Sequence, residues 1–246
     1  PAALAKGLVL ACVPPREDPR DVLVTKDGVQ LDDLTAGDRV GTGSLRRLLQ
    51  LRRMRNDLQY APLRGNVDTR LAKLDAGQYQ AIVIAYAGLR RLGLGDRPMW
   101  PIPVAQSVPA VGQGALAIEC RENDAELRAL LMRLEHAPSR ACIEAERSFL
   151  RTLGGDCHTP LAGHARFEDG GARLRFDGLV GSVSDERMIQ AGVDRYIDAK
   201  GTALLEVARA IGEEVAQALL AQGASDLIEE AARHAATQRD PRTRPD

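Results

Sequence analysis

Through the first half of the chain, short unbroken apolar runs alternate with stretches in which apolar residues recur at helical spacing. LVLAC, from Leu8 to Cys12, has the pattern of a buried strand, and PPREDPRD after it is a proline-broken, charged segment suited to crossing between structural units. Strands are predicted near 39–42, 58–62 and 81–85, with a helix from Ser44 to about Arg53 and another from Val67 to Asp75 that Gly77 stops. Strands and helices alternating through short links imply an α/β unit with a largely parallel sheet, whose ligands lie off the carboxyl ends of the strands.

The pattern then changes. Prolines recur from Pro98 to Pro109, a stiff connector that marks a domain exit. A glycine-bounded strand (115–120) and a helix (124–134) follow, and this strand is placed to pair with the one at Leu8 in a domain the chain visits twice. Ser139 is the expected cap of a long helix ended by Gly154 and Gly155. Strands near 161–167, 173–180 and 188–193 and helices over 202–221 and from Ser225 to about His234 complete an α+β unit. The expected division is therefore 1–19 with 110–134, then 20–109, then 135–236, with 237–246 a polar, disordered tail.

The candidate chemistry lies in three strand-to-helix turns, VGTGSLRR, LRGNVDTRL and IAYAGLRRLGL. Free N–H groups of a helix start would face a ligand there, which suits a small anion. Thr42 supplies a hydroxyl, Ser44 a cap, and Gly41 and Gly43 close backbone approach. Arg46 and Arg47 stand in the first helical turn, where a cation opposes the helix dipole at about 0.3–1 kcal/mol, so the pair calls for an anion. Asn66 caps the second helix with Arg70 one turn on, Arg64 enters from the strand side, and the third turn ends in Arg90 and Arg91, of which one can face a given spot. Planar guanidinium forks meet carboxylates or phosphates with paired hydrogen bonds. Arg52, Arg53 and Arg55 follow without such turn chemistry and read as a solvated face.

A formal net charge of -1 and 3% aromatic residues exclude a nucleic-acid binder driven by a basic field or base stacking, so the arginines form a local site. The four cysteines form no C-x-x-C pair, which points to a reduced, cytoplasmic chain without structural zinc. No apolar run approaches membrane-spanning length, and the opening residues lack the marks of a signal peptide. Cys12 and Cys120 lie in apolar strands and Cys142 in a helix, whereas Cys157 sits in the glycine-bounded loop before His158, open to alkylation. No distant histidine supports a cysteine hydrolase. The glycines match neither a dinucleotide fingerprint nor a P-loop.

GTGSLRR, LRGNVDTRLAKLDAGQY, AGLRRLGL, PAVGQGALAIEC and LGGDCHTPLAGHA, in this order over nearly the whole chain, resemble the porphobilinogen deaminase (hydroxymethylbilane synthase) family. The resemblance implies an enzyme of tetrapyrrole (heme) biosynthesis that joins four porphobilinogen units, releasing ammonia, on a dipyrromethane primer held by a cysteine thioether, here Cys157. It implies that Thr42, Ser44, Arg46, Arg47 and Arg70 hold the primer and growing pyrrole chain, and that Arg64 and Arg91 bind acetate and propionate groups of the substrate. The implied fold has two lobes like those of periplasmic binding proteins, here with the first incomplete, and a small α+β C-terminal domain. The implied partners are porphobilinogen and the pyrrole chain, with no metal, nucleic acid or membrane, and the complete protein is expected to be a monomer.

The sequence departs from the family at two places. Serine often stands where this chain has Gly43. The family's catalytic aspartate lies in a histidine-serine-x-lysine-aspartate-valine-proline motif; this sequence begins at the proline that would close it and holds no equivalent. A carboxylate there would stabilise the cation left by loss of ammonia. The expectation is a chain lacking the N-terminal part of domain one, inactive alone and exposing apolar surface there. The alternative is a non-catalytic module that binds an anion or polycarboxylate.

Overall fold

The computed structural model describes residues 4–154 and 159–239. In chain order the elements are β1 (Leu8–Cys12), β2 (Asp21–Thr25), β3 (Arg39–Gly41), α1 (Leu45–Met54), β4 (Gln59–Ala61), α2 (Val67–Asp75), β5 (Ala81–Ala85), α3 (Tyr86–Arg91), β6 (Met99–Pro101) and β7 (Ile118–Arg121). They continue with α4 (Ala125–Leu131), α5 (Ala137–Leu153), β8 (Leu161–Glu168), β9 (Arg173–Gly181), β10 (Met188–Tyr196), α6 (Gly201–Ala221) and α7 (Ala224–Arg239).

A five-stranded sheet of order β4-β3-β5-β2-β6 forms the centre of the first half. β3 pairs in parallel with β4 and β5, whereas β2 runs antiparallel to both β5 and β6. Four strands thus share a direction and β2 alone is reversed, a correction to the expected strand set, which held neither β2 nor β6. β2 was hidden behind the charged PPREDPR run. β6 is a three-residue edge strand ending on a proline, where a missing N–H costs no ladder bond.

Both faces of this sheet are covered, which is why AIVIA is apolar throughout. Val22, Val24, Ile82 and Ile84 pack on one face with Leu71 and Leu74 of α2, and Leu23, Val40, Ala81 and Val83 pack on the other with Leu51 of α1. The period-two alternation of side chains along a strand makes this division.

β1 pairs antiparallel with β7, from Leu8 opposite Arg121 to Cys12 opposite Ile118. This small unit has little core: α4 buries none of its residues, and Leu130, Met132 and Leu134 are 57%, 54% and 52% exposed. The expected helix over 124–134 is α4 followed by a single 3-10 turn, Met132–Leu134.

In the last unit β8, β9 and β10 form an antiparallel sheet against α5, α6 and α7. Phe149 of α5 and Phe176 of β9, with ring centroids 5.0 Å apart, sit fully buried at its centre with Val215 and Leu219 of α6. Gly212 of α6 lies against the backbone of α5 at Ala145, so the two helices approach as closely as backbones allow. Three expectations need correction. The cap of α5 is His136, whose Nδ1 accepts from the Ser139 N–H; the helix starts earlier because Pro138 fits its first turn, where no N–H is needed. β10 runs on to Tyr196, where Arg173 and Asp194 bridge the strand pair. α7 runs to Arg239, so 237–239 are helical rather than disordered; an alanine-rich stretch favours continuing the helix. Residues 240–246 lie outside the described chain.

Candidate functional site

The first two turns open side by side at the carboxyl ends of β3 and β4. The Thr42 N–H donates to Ala61 O at 3.1 Å and the Leu63 N–H to Thr42 O at 3.2 Å, which carries the sheet ladder into the turns. A Cβ on Gly43 would stand 2.7 Å from Leu63 O, so a side chain here, such as the family's serine, would need the second turn to shift outward from its place in this chain. Thr42 is buried, and its Oγ1 accepts from the Ser44 N–H at 3.3 Å. Ser44 caps α1 by accepting from the Arg47 N–H, and Asn66 caps α2 by accepting from the Thr69 N–H at 2.8 Å. Both caps stand where the sequence placed them, because capping is a local interaction across three residues.

Arg46 and Arg47 both turn inward, 4% and 8% exposed, onto a carboxylate the sequence did not single out. Asp21 is fully buried and accepts five hydrogen bonds: Arg46 Nη1 at 2.8 Å and Nη2 at 3.1 Å, Arg47 Nε at 2.8 Å, Ser107 Oγ at 3.1 Å and Gln113 Nε2 at 2.9 Å. Burial alone would raise its carboxyl, but the charges of Arg46 and Arg47 and the bonds from Arg46 and Gln113 bring it from 3.8 down to about 2. The anion that an arginine pair at a helix start calls for is therefore partly internal. The one available signal was an aspartate directly ahead of the apolar run Val22 to Val24. Because β2 is reversed, its first residue lies at the carboxyl ends of its neighbours, with Asp21 opposite Ala85.

The two arginines are used differently. Arg46 gives Nη1 also to Val108 O at 2.7 Å and Nη2 to Gln113 Oε1 at 3.3 Å, so both its terminal nitrogens are engaged by the protein. Arg47 spends Nε on Asp21 but makes only long contacts through Nη1, to Val83 O at 3.4 Å, and Nη2, to Gln113 Oε1 at 3.5 Å. Its pKa is lowered, chiefly by burial and further by the charges of Arg46 and Arg70, against the support of Asp21. Arg70, in the first turn of α2, donates Nε to Gly65 O at 2.8 Å.

Arg64 is exposed, and among the described residues its guanidinium has no partner. Arg91, also exposed, gives Nη2 to Gly114 O at 2.9 Å, while its neighbour Arg90 pairs with Glu17 and stacks on Tyr86. Arg52 and Arg53 face solvent as expected. Arg55 does not: it is half-buried and donates to Leu31 O and Leu34 O at 2.7 Å, fastening a 3-10 turn. Cys157 and His158 lie outside the described residues. A cavity of about 470 Å³ lies elsewhere, bordered by Arg16, His136, Cys142 and His164.

Residues 1–129 match the family model described as porphobilinogen deaminase, dipyromethane cofactor binding domain, and residues 140–221 match that of the porphobilinogen deaminase C-terminal domain. The chain belongs to the porphobilinogen deaminase family. It is 46% identical over 233 residues to a porphobilinogen deaminase of Brevibacillus brevis, spanning 95% of this chain and 72% of that one. It is 48% identical over 230 residues to one of Xanthomonas euvesicatoria, spanning 94% and 72%. A probable amino-acid transporter extracellular-binding protein of Bacillus subtilis is 15% identical over 49% of this chain and 51% of its own, with a TM-score of 0.30, too slight a likeness to carry any argument. Porphobilinogen deaminases are hydroxymethylbilane synthases, transferases of porphyrin and heme biosynthesis that work with a dipyrromethane cofactor. No described helix is long and apolar enough to cross a membrane.

The residues at the turns fit such a cofactor. It bears carboxylates, and the site offers the weakly engaged Nη groups of Arg47, the unpartnered fork of Arg64, Arg70 and the capped starts of α1 and α2.

Proposed function

We propose that this chain holds a dipyrromethane primer, attached through a thioether at Cys157, and binds porphobilinogen and the growing pyrrole chain at the carboxyl ends of β3, β4 and β5. Thr42, Ser44, Arg47 and Arg70 face the primer's acid groups, with Arg46 holding the cluster from behind, and Arg64 and Arg91 receive those of the incoming substrate. The observation that carries this reading is the ladder, Thr42 N–H to Ala61 O and Leu63 N–H to Thr42 O, that sets the turns before the capped starts of α1 and α2 side by side, with Arg47 and Arg70 in the first turns of those helices. When bound, the dipyrromethane supplies the free pyrrole end from which the chain is extended. The protein's part is to orient acid side arms by paired hydrogen bonds, which converts an encounter into a fixed geometry.

Turnover also needs a carboxylate that can move a proton at the reacting ring. Asp21, at the mouth of these turns, is saturated by five donors and held ionised, so it serves as structure rather than as that proton carrier. We infer that this chain binds without turning over, as a monomer in the cytoplasm, where its buried thiols Cys12, Cys120 and Cys142 stay reduced.

Intact-mass analysis of folded protein from cells that make porphobilinogen should show a dipyrromethane adduct on Cys157. A bare thiol in folded protein would instead favour the anion-binding module without chemistry. Ammonia release beyond what loading the primer requires would overturn the inference of no turnover.

A further inference from the structure

We propose that Asp21 and Gln113 are positioning residues that orient Arg47 toward the ligand's acid groups, with Arg46 as the strut between them. This rests on the site proposed above.

The geometry is specific. Gln113 stands on the second crossing segment, the stretch between β6 and β7, where its Nε2 donates to Pro19 O of the first crossing, between β1 and β2, at 2.6 Å and to Asp21 Oδ1 at 2.9 Å. Its Oε1 accepts from the Nη2 groups of both Arg46 and Arg47, at 3.3 and 3.5 Å. One amide therefore ties both crossings to both guanidinium groups. No flipped amide would suit: it would set N–H groups against two cations and an oxygen against a carboxylate. Asp21 anchors Arg47 through Nε alone. A guanidinium held by Nε keeps its two terminal nitrogens coplanar and outward from the anchor, the arrangement that takes a carboxylate with two hydrogen bonds. Arg46 is already held at both terminal nitrogens, by Asp21, Val108 O and Gln113. Its charge lies beside that of Arg47, so without Asp21 two buried cations would repel and Arg47 would leave its position.

Charge and position make opposite forecasts, which makes the proposal testable. Asp21→Asn removes a negative charge beside the arginines, so long-range electrostatics alone would tighten binding of a dicarboxylate. Positioning forecasts the reverse. Calorimetric titration of porphobilinogen into the primer-free chain, where the primer's place is open to the same acetate and propionate groups, should at fixed ionic strength show affinity falling by about tenfold or more in Asp21→Asn, the loss expected when a charged hydrogen-bonding fork is displaced. Gln113→Ala changes no charge and should also weaken binding several-fold, with circular dichroism unchanged. A folded Asp21→Asn variant that binds as tightly as the unaltered chain, or tighter, overturns the proposal. Should that variant not fold, Gln113→Ala decides, and undiminished affinity there overturns it equally. If the unaltered chain takes up no porphobilinogen, the reading of the site itself fails, an outcome separate from both.

Discussion

Arg16 and Glu146, 130 residues apart in sequence, form a two-pronged ion pair at 2.6 and 3.2 Å where the first crossing segment meets α5. The Glu146 side chain is wholly buried and also accepts the N–H groups of Gly112 at 2.6 Å and Ala165 at 2.9 Å. One carboxylate thus joins both crossings to the helix and sheet of the C-terminal unit. Burial pushes Glu146 upward, and the charge of Arg16 with the contacts from His164 more than reverses this, so it is held below the usual range.

Glu146→Ala should therefore cost about 3–5 kcal/mol, because it strands a buried guanidinium and two backbone N–H groups together. Urea unfolding measures it. A loss below about 1 kcal/mol would mean that water reaches Arg16 readily and that the pair does not hold the units together.

Asp21 makes the fold sensitive to acid. Its folded carboxyl lies near 2 against an ordinary 3.8, so the unfolded chain takes up a proton first. The stability it contributes is present above the ordinary value and is lost as pH falls from about 4 toward 2, with a size of roughly 2 kcal/mol. Unfolding midpoints followed from about pH 5 downward should fall less steeply in Asp21→Asn than in the unaltered chain; equal slopes would show that Asp21 is not the group responsible.

Gly212→Ala should separate α5 from α6. An added methyl would meet the carbonyl of Ala145, which is helix backbone and cannot move aside as a side chain does. Overpacking of this kind costs about 1–3 kcal/mol, and a thermal midpoint unchanged by the substitution would show that the helices are not in this contact.

The two neighbouring arginines should part company under the same substitution. Arg46→Lys gives up the two-pronged bond to Asp21 and a bond to Val108 O, and should cost about 2–3 kcal/mol of stability. Arg47→Lys should cost about 1 kcal/mol but lower the primer-free chain's porphobilinogen affinity by about tenfold, since an ammonium cannot offer a planar fork. Matching profiles for the two variants, in denaturant and in calorimetry, would remove the distinction between strut and ligand-facing residue.

Much of this architecture could be read from short stretches. α2 and β5 lie where apolar periodicity puts them, and the caps at Ser44 and Asn66 follow from hydroxyl and amide side chains three residues ahead of a free N–H. Those are interactions within one helical turn, and neighbouring residues carry all the information they need. The cap of α5 is not legible in this way: Ser139 and His136 both offer an acceptor, and Ser139 is taken up by the Arg16 N–H across the fold at 2.9 Å.

The sequence by itself determined the strands that bear the site, the turns that follow them and the presence there of several guanidinium groups. Only the tertiary structure decided that β2 runs backwards, bringing Asp21 to the mouth of those turns, and that Arg46 is consumed by the protein while Arg47 keeps its terminal nitrogens nearly free. The physical reason is range. Adjacent residues on one helix differ by a rotation of about 100°, and which of them meets a distant carboxylate is settled by pairing and packing between segments far apart in the chain.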